Sequence, residues 1–126
     1  MKQLGDQQAM AFVRVGPNDV PQAAMADTGT QRSIVGHEIA KVAAAIPTGK
    51  TGTMNIAGHK LRGQIMRITI SVPNTRCRAT VDAFVPNPGQ AFRKGFILGM
   101  DFLQKAKMRI DAETGEAYCP RPSRKR

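Results

Sequence analysis

What this chain has little of narrows it first. It holds two histidines, His37 and His59, and two cysteines, Cys77 and Cys119, so no ligand set stands at zinc-site spacing and no metal is expected. No apolar run approaches the ~20 residues that cross a bilayer, so no membrane segment is expected. The stretch from Met1 to Gln8 lacks the apolar core of an export signal, and a cytoplasmic protein is the expectation. Cys77 and Cys119 could pair, but two cysteines in a chain without such a signal are more often reduced, and free thiols are expected. Tryptophan is absent, and Tyr118 and five phenylalanines are scattered. The aromatic–basic interleaving that stacks nucleic-acid bases is therefore missing.

Acids are also scarce, with 9 Asp and Glu against 19 Lys and Arg, a net charge of +10. The excess is uneven. From Ile39 to Val81 the basic residues are Lys41, Lys50, Lys60, Arg62, Arg67, Arg76 and Arg78, with no acid among them, and Arg121, Arg124, Lys125 and Arg126 follow in the tail. Such a field draws acidic peptides, nucleic acid or anionic surfaces, or it simply solvates the molecule.

At 126 residues there is room for one domain with a modest core. Twelve glycines and eight prolines favour many turns and short strands. Residues 1–8 read as a flexible N-terminus, 9–118 as the folded domain and 119–126 as a basic flexible tail. Within the domain, strands are expected over Ala9–Val15, where Met10, Phe12, Val13 and Val15 are apolar and Arg14 faces out, and over Val20–Ala26, joined by the turn Gly16–Asp19. Ile39, Val42, Ala43 and Ile46 recur at helical spacing, which predicts a helix over Gly36–Ile46 stopped by Pro47. Lys50–Ile56 and Leu61–Val72 flank Ala57-Gly58-His59-Lys60 as a hairpin, with Ile65, Ile68, Ile70 and Val72 on the apolar face of its longer strand. Further strands are expected at Cys77–Val85, Phe96–Leu98 and, as the last, Met108–Ile110, with a short helix at Met100–Ala106 and a turn at Glu113–Glu116 before Ala117-Tyr118-Cys119. Seven or so strands with one or two short helices make an all-β domain.

Two segments carry the chemistry. The first is Met25-Ala26-Asp27-Thr28-Gly29-Thr30, which sets one carboxylate on a polar turn between apolar runs. The second is Phe96-Ile97-Leu98-Gly99-Met100-Asp101-Phe102-Leu103, an apolar run that breaks at glycine and restarts as helix. Hydrolysis of a peptide bond by water needs one carboxylate as base and one as acid. The chain offers one such aspartate, so the second must come from another copy. Asp101 sits at the start of a helix, where a carboxylate satisfies free N–H groups, and its expected role is structural. Ala44-Ala45-Ile46-Pro47-Thr48-Gly49-Lys50-Thr51 fits a relaxed phosphate-loop pattern. That pattern needs a strand before it and a helix after it, and here the order is reversed.

In order and content these segments resemble the retropepsin-type aspartic proteases, especially their single-domain cellular and bacterial members, over about residues 9–118. The resemblance implies an acid-protease closed β-barrel that works as a homodimer, with Asp27 catalytic, Thr28 bracing the dyad across the dimer, and Gly29 letting a substrate backbone approach. It implies that Thr30, Gln31 and a flap of Ile56, Ala57, Gly58 and His59 meet an extended peptide, and that Ile97, Leu98 and Gly99 pack behind the active-site turn. No metal or organic cofactor is implied. The expected partners are a second copy and a protein or peptide substrate. Two other readings stand beside it: a proteolytically silent dimer of the same fold serving as a binding or assembly module, and a basic nucleic-acid-binding domain in which Asp-Thr-Gly is only a turn.

Overall fold

The computed structural model describes residues 8–121. Nine strands and two short helices follow one another along these residues: β1 (Gln8–Val15), β2 (Val20–Asp27), β3 (Ile34–Val35), α1 (His37–Val42), β4 (Ile46–Ile56), β5 (His59–Ser71), β6 (Arg78–Pro86), β7 (Phe96–Leu98), α2 (Met100–Ala106), β8 (Arg109–Asp111) and β9 (Glu116–Tyr118). The strands run β4-β5-β6-β3-β7-β2-β1-β9-β8, and β1 also pairs with β5 through Arg14↔Ser71 and Val15↔Ile70. That extra pairing closes β5, β6, β3, β7, β2 and β1 into a barrel. Closure removes the sheet edges those strands would otherwise expose. The β4–β5 hairpin extends the sheet beyond the barrel strands, and the β8–β9 hairpin joins β1 through Met10↔Glu116.

Small residues let the barrel close. On β1 the inward positions are Ala9, Ala11, Val13 and Val15, all buried, while Met10 and Phe12 share the outer face with Arg14, and Phe12 is 72% exposed. The larger core side chains come from elsewhere. Phe84, Phe102, Ile70 and Leu98 are each under 2% exposed, and such burial contributes roughly 2–3 kcal/mol per side chain. β5 uses both faces. Ile68 and Ile70 enter the barrel, whereas Leu61 joins Ile34, Ile56 and Phe84 in a second cluster beneath the hairpin, with Ile65 packed against it. Ile65, an odd number of positions from Ile68 and Ile70, therefore lies on the opposite face of the strand and not with them on one apolar face as expected.

The first helix is shorter than expected. It stops at Val42 because Ala44 takes a left-handed conformation (φ 52°), which lets Ala45 N–H reach the Ala40 carbonyl (3.0 Å) and Ala44 N–H reach that of Lys41 (3.1 Å). This is a Schellman ending with alanine where glycine is usual. Ile46 then starts β4 opposite Arg67, so Val42 and Ile46 are 49% and 62% exposed rather than core. α2 ends in the same way, on Lys107 (φ 62°).

The expectation of free thiols is overturned: Cys77 and Cys119 form a disulfide, with Cα atoms 5.9 Å apart. Cys77 lies at the mouth of β6 and Cys119 just beyond β9, a proximity that a sequence separation of 42 conceals. Cys119, assigned to the flexible tail, is thereby anchored, while residues 1–7 and 122–126 lie outside the described residues. Loop closure over this separation predicts that reduction, or Cys77→Ser with Cys119→Ser, lowers stability by about 4 kcal/mol. Thermal melts with and without reductant check this, and an unmoved midpoint contradicts it.

Candidate active site

Asp27 ends β2, whose Ala24 and Ala26 are buried in the barrel, so the ladder delivers the carboxylate to the point where the chain leaves the sheet. The Gly29 N–H donates to Asp27 Oδ1 (2.8 Å), and the Thr30 N–H donates to the Asp27 carbonyl (3.2 Å). The other carboxylate oxygen, Oδ2, accepts from Gln8 Nε2 at 3.2 Å. Gln8 had been assigned to the flexible N-terminus, yet it opens β1 directly opposite Asp27. The signal was available: with Val15 paired to Val20 across the Gly16–Asp19 turn, counting seven residues outward on both strands reaches Gln8 and Asp27.

The turn is braced from behind. β7 lies between β2, parallel, with Met25↔Ile97 and Ala26↔Leu98, and β3, antiparallel, with Ile34↔Ile97. Gly99 follows, and a Cβ there would lie 2.7 Å from the Thr30 carbonyl and 2.9 Å from the Arg32 carbonyl carbon. Only glycine allows so close a backbone approach. Through it the Met100 N–H reaches the Thr30 carbonyl (2.7 Å) and the Asp101 N–H reaches that of Gln31 (3.0 Å).

Asp101 does more than complement the start of α2. Both of its oxygens accept from the Ser33 N–H (3.0 Å each), and Oδ1 also accepts from Ser33 Oγ (2.7 Å). Ser33 Oγ in turn accepts from the Gly99 N–H (3.0 Å), and Ser33 is completely buried. The link from Ser33 to Asp101 was not legible in the sequence; a serine beside an apolar pair carries no signal for a partner 68 residues away.

Around this turn the remaining site residues divide. Thr28 opens onto a concavity of about 390 Å³ whose other walls are apolar (Met100, Leu103, Met108, Ile110) and polar or cationic (Gln104, Lys107, Arg109) in about equal measure. Gln31 is exposed and lines a separate concavity of about 570 Å³ with Arg32, Arg67, Asp82, Asp101 and Lys105, which includes neither Asp27 nor the tip of the hairpin. Ile56 pairs with His59 next to the hairpin tip and is buried in the cluster with Ile34, Leu61 and Phe84, and Ile97 packs against that cluster. Ala57 and Gly58 form the tip with φ of 50° and 82°, the two left-handed positions of a tight two-residue turn, and both are exposed, as is His59.

Two further residues tie the neighbouring loop to the hairpin. The Gln90 side-chain amide accepts from the Arg62 N–H (3.1 Å) and donates to the Arg62 carbonyl, mimicking a strand on the flank of β5. Phe92, held at φ 74°, lays its ring over Gly95, where a Cβ would come within 2.5 Å of it, and packs against the Ile56 cluster. A bulky residue in that backbone region is strained, and such strain concentrates at functional sites. Neither residue had a sequence signal beyond its place in a Pro- and Gly-rich loop.

With the geometry in hand, the likeness to solved structures is informative. The chain superposes on the EIAV protease complexed with the inhibitor HBY-793 with a TM-score of 0.60 at 16% identity, covering 88% of this chain and 99% of that one. It matches the retroviral protease-like domain of Ddi1 from Leishmania major with a TM-score of 0.50 at 17% identity, covering 88% of each chain. No family model and no curated protein matches the sequence. The class is therefore defined by fold: this is a mostly β, retropepsin-like domain.

Proposed function

We propose that the chain is an aspartic endopeptidase that cleaves extended protein segments as a homodimer, with one Asp27 from each subunit. The observation that carries this reading is the carboxylate of Asp27, held by a donor on each oxygen at the end of a barrel strand, on the only Asp-Thr-Gly in the chain. A site with one such aspartate is half a dyad, and two-fold symmetry supplies the other half.

In the dimer, the ionised Asp27 takes a proton from water as the water oxygen attacks the scissile carbonyl carbon. The protonated Asp27 of the partner subunit gives its proton to the carbonyl oxygen, and proton transfer to the amide nitrogen then lets the C–N bond break. Two carboxylates that close cannot both ionise, which supplies one acid and one base from identical residues; the aspartic-protease pair is the standard example of this behaviour. The hairpin with its small Ala57-Gly58 tip is the element suited to cover an extended peptide and exclude water.

Incubation with an unstructured mixed-peptide library between about pH 4 and 7 tests this, read together with dilution. Cleavage is expected, with specific activity falling as the protein is diluted below its dimer dissociation constant. Specific activity that stays constant down to monomer concentrations sinks the shared dyad, and a stable dimer that cleaves nothing is a silent binding module.

A further inference from the structure

Away from the Asp27 turn, the disulfide lies in the wall of a concavity of about 620 Å³ whose rim carries Arg76, Arg78, Lys105, Lys107, Arg109 and Arg121. All six are exposed, and no Asp or Glu lines the concavity. Neither of the two ion pairs among the described residues involves any of them, since those join Arg67 to Asp82 and Arg93 to Glu38. Lys105 Nζ donates to the Thr80 carbonyl (2.7 Å), which fixes its ammonium without neutralising it.

Three separate elements supply these charges. Arg76 and Arg78 flank Cys77 at the mouth of β6, Lys105 and Lys107 come from the end of α2, and Arg109 opens β8. The Cys77–Cys119 bond brings Arg121 to the same rim. Gathering six like charges around one hollow costs repulsion and focuses a positive potential into it, which raises the local concentration of a polyanion.

We infer that this hollow is a docking site for the phosphate backbone of nucleic acid, centred on the disulfide rather than on Asp27, although Lys107 and Arg109 also border the concavity beside Thr28. Charge density selects this ligand. A phosphodiester strand carries one charge per ~3.4 Å whatever its sequence, whereas a peptide matches six clustered cations only through an unbroken run of acids. No aromatic side chain lines the hollow, so bases have no stacking platform, and recognition runs through phosphates without regard to sequence. The tail beyond Arg121 adds Arg124, Lys125 and Arg126 to the same end of the chain.

Fluorescence anisotropy with labelled single strands of about 20 nucleotides, one oligothymidine and one mixed sequence, tests the site on the full chain. Both are expected to bind alike, with log affinity falling against log salt at a slope of about −4 for six phosphate contacts. Arg76→Ala with Arg78→Ala is expected to weaken binding by about tenfold or more at ~0.1 M salt and to flatten the slope by about 1.4. Lys107→Gln with Arg109→Gln should act similarly. Arg14→Ala with Lys41→Ala, which removes the same charge elsewhere, is expected to change affinity by less than about twofold, and Asp27→Asn should bind as the wild type does. Equal weakening by the control pair, or a slope shallower than about −1, overturns the proposal and leaves diffuse charge only. Polyglutamate or anionic vesicles that bind more tightly than the oligonucleotides also overturn it, in favour of an acidic peptide or a membrane.

Discussion

Asp27→Asn is expected to reduce peptide cleavage by on the order of 10⁴-fold while leaving the melting temperature within a few degrees of wild type. The substitution preserves size and one of the two contacts, since the amide oxygen still accepts from the Gly29 N–H, while the exposed Gln8 amide can rotate to present its oxygen to the new NH2. What it removes is the exchangeable proton and the charge, from both subunits at once. Groups that act as one unit fail together, so the loss is the whole acid–base contribution rather than half of it. Mixing supplies a sharper form of the test. With equal amounts of wild-type and variant chains and free exchange, about half of the wild-type chains sit in dimers with only one competent aspartate, and activity per wild-type chain should fall to about half. Activity that tracks wild-type chains one for one overturns the shared dyad even if the variant alone is dead.

The second large effect is structural. Asp101→Ala should destabilise the domain by roughly 3 kcal/mol and lower its melting temperature by about 10 °C. The carboxylate accepts from the Ser33 N–H and hydroxyl at 2.7 to 3.0 Å, inside a region where Ser33 has no access to water. Removing it strands a buried donor and takes away the side-chain link from α2 to Ser33, leaving only the backbone bonds that Met100 and Asp101 make to Thr30 and Gln31. Asp101→Asn keeps an oxygen for that N–H, should cost about half as much, and should retain cleavage within about tenfold per folded chain. A midpoint shift under about 2 °C for the alanine variant contradicts the bracing role, and near-complete loss of cleavage in folded Asp101→Asn contradicts its separation from the chemistry.

How far the sequence could be read depended on the range of the interaction. Local chemistry was legible. Gly16–Asp19 and Ala57-Gly58 turn the chain where their residue types require it, and the resulting hairpins follow from period-two alternation. Gly99 marks a break whose cause is contact rather than conformation, since its φ of −88° is open to any residue. The helix after Gly36 was over-read because an alanine run has high intrinsic propensity, while its actual end at Ala44 depends on the Schellman bonds and on Ile46 finding Arg67 across the sheet. Met10 and Phe12 illustrate the opposite error, in which side-chain size suggests core but the pleat assigns the inside to Ala9 and Ala11.

The sequence by itself determined the all-β character, the positions of the turns, and the placing of one unusual aspartate at the end of an apolar strand, because each follows from neighbours a few residues apart. Tertiary structure alone decided the barrel closure through β1 and β5, the link from Ser33 to Asp101, the hold of Gln90 on Arg62, the Cys77–Cys119 bond and the convergence of six cations beside it. Each of these joins groups separated by tens of residues. The strand order that brings such groups together is set by the summed burial of the core, and no local pattern encodes it.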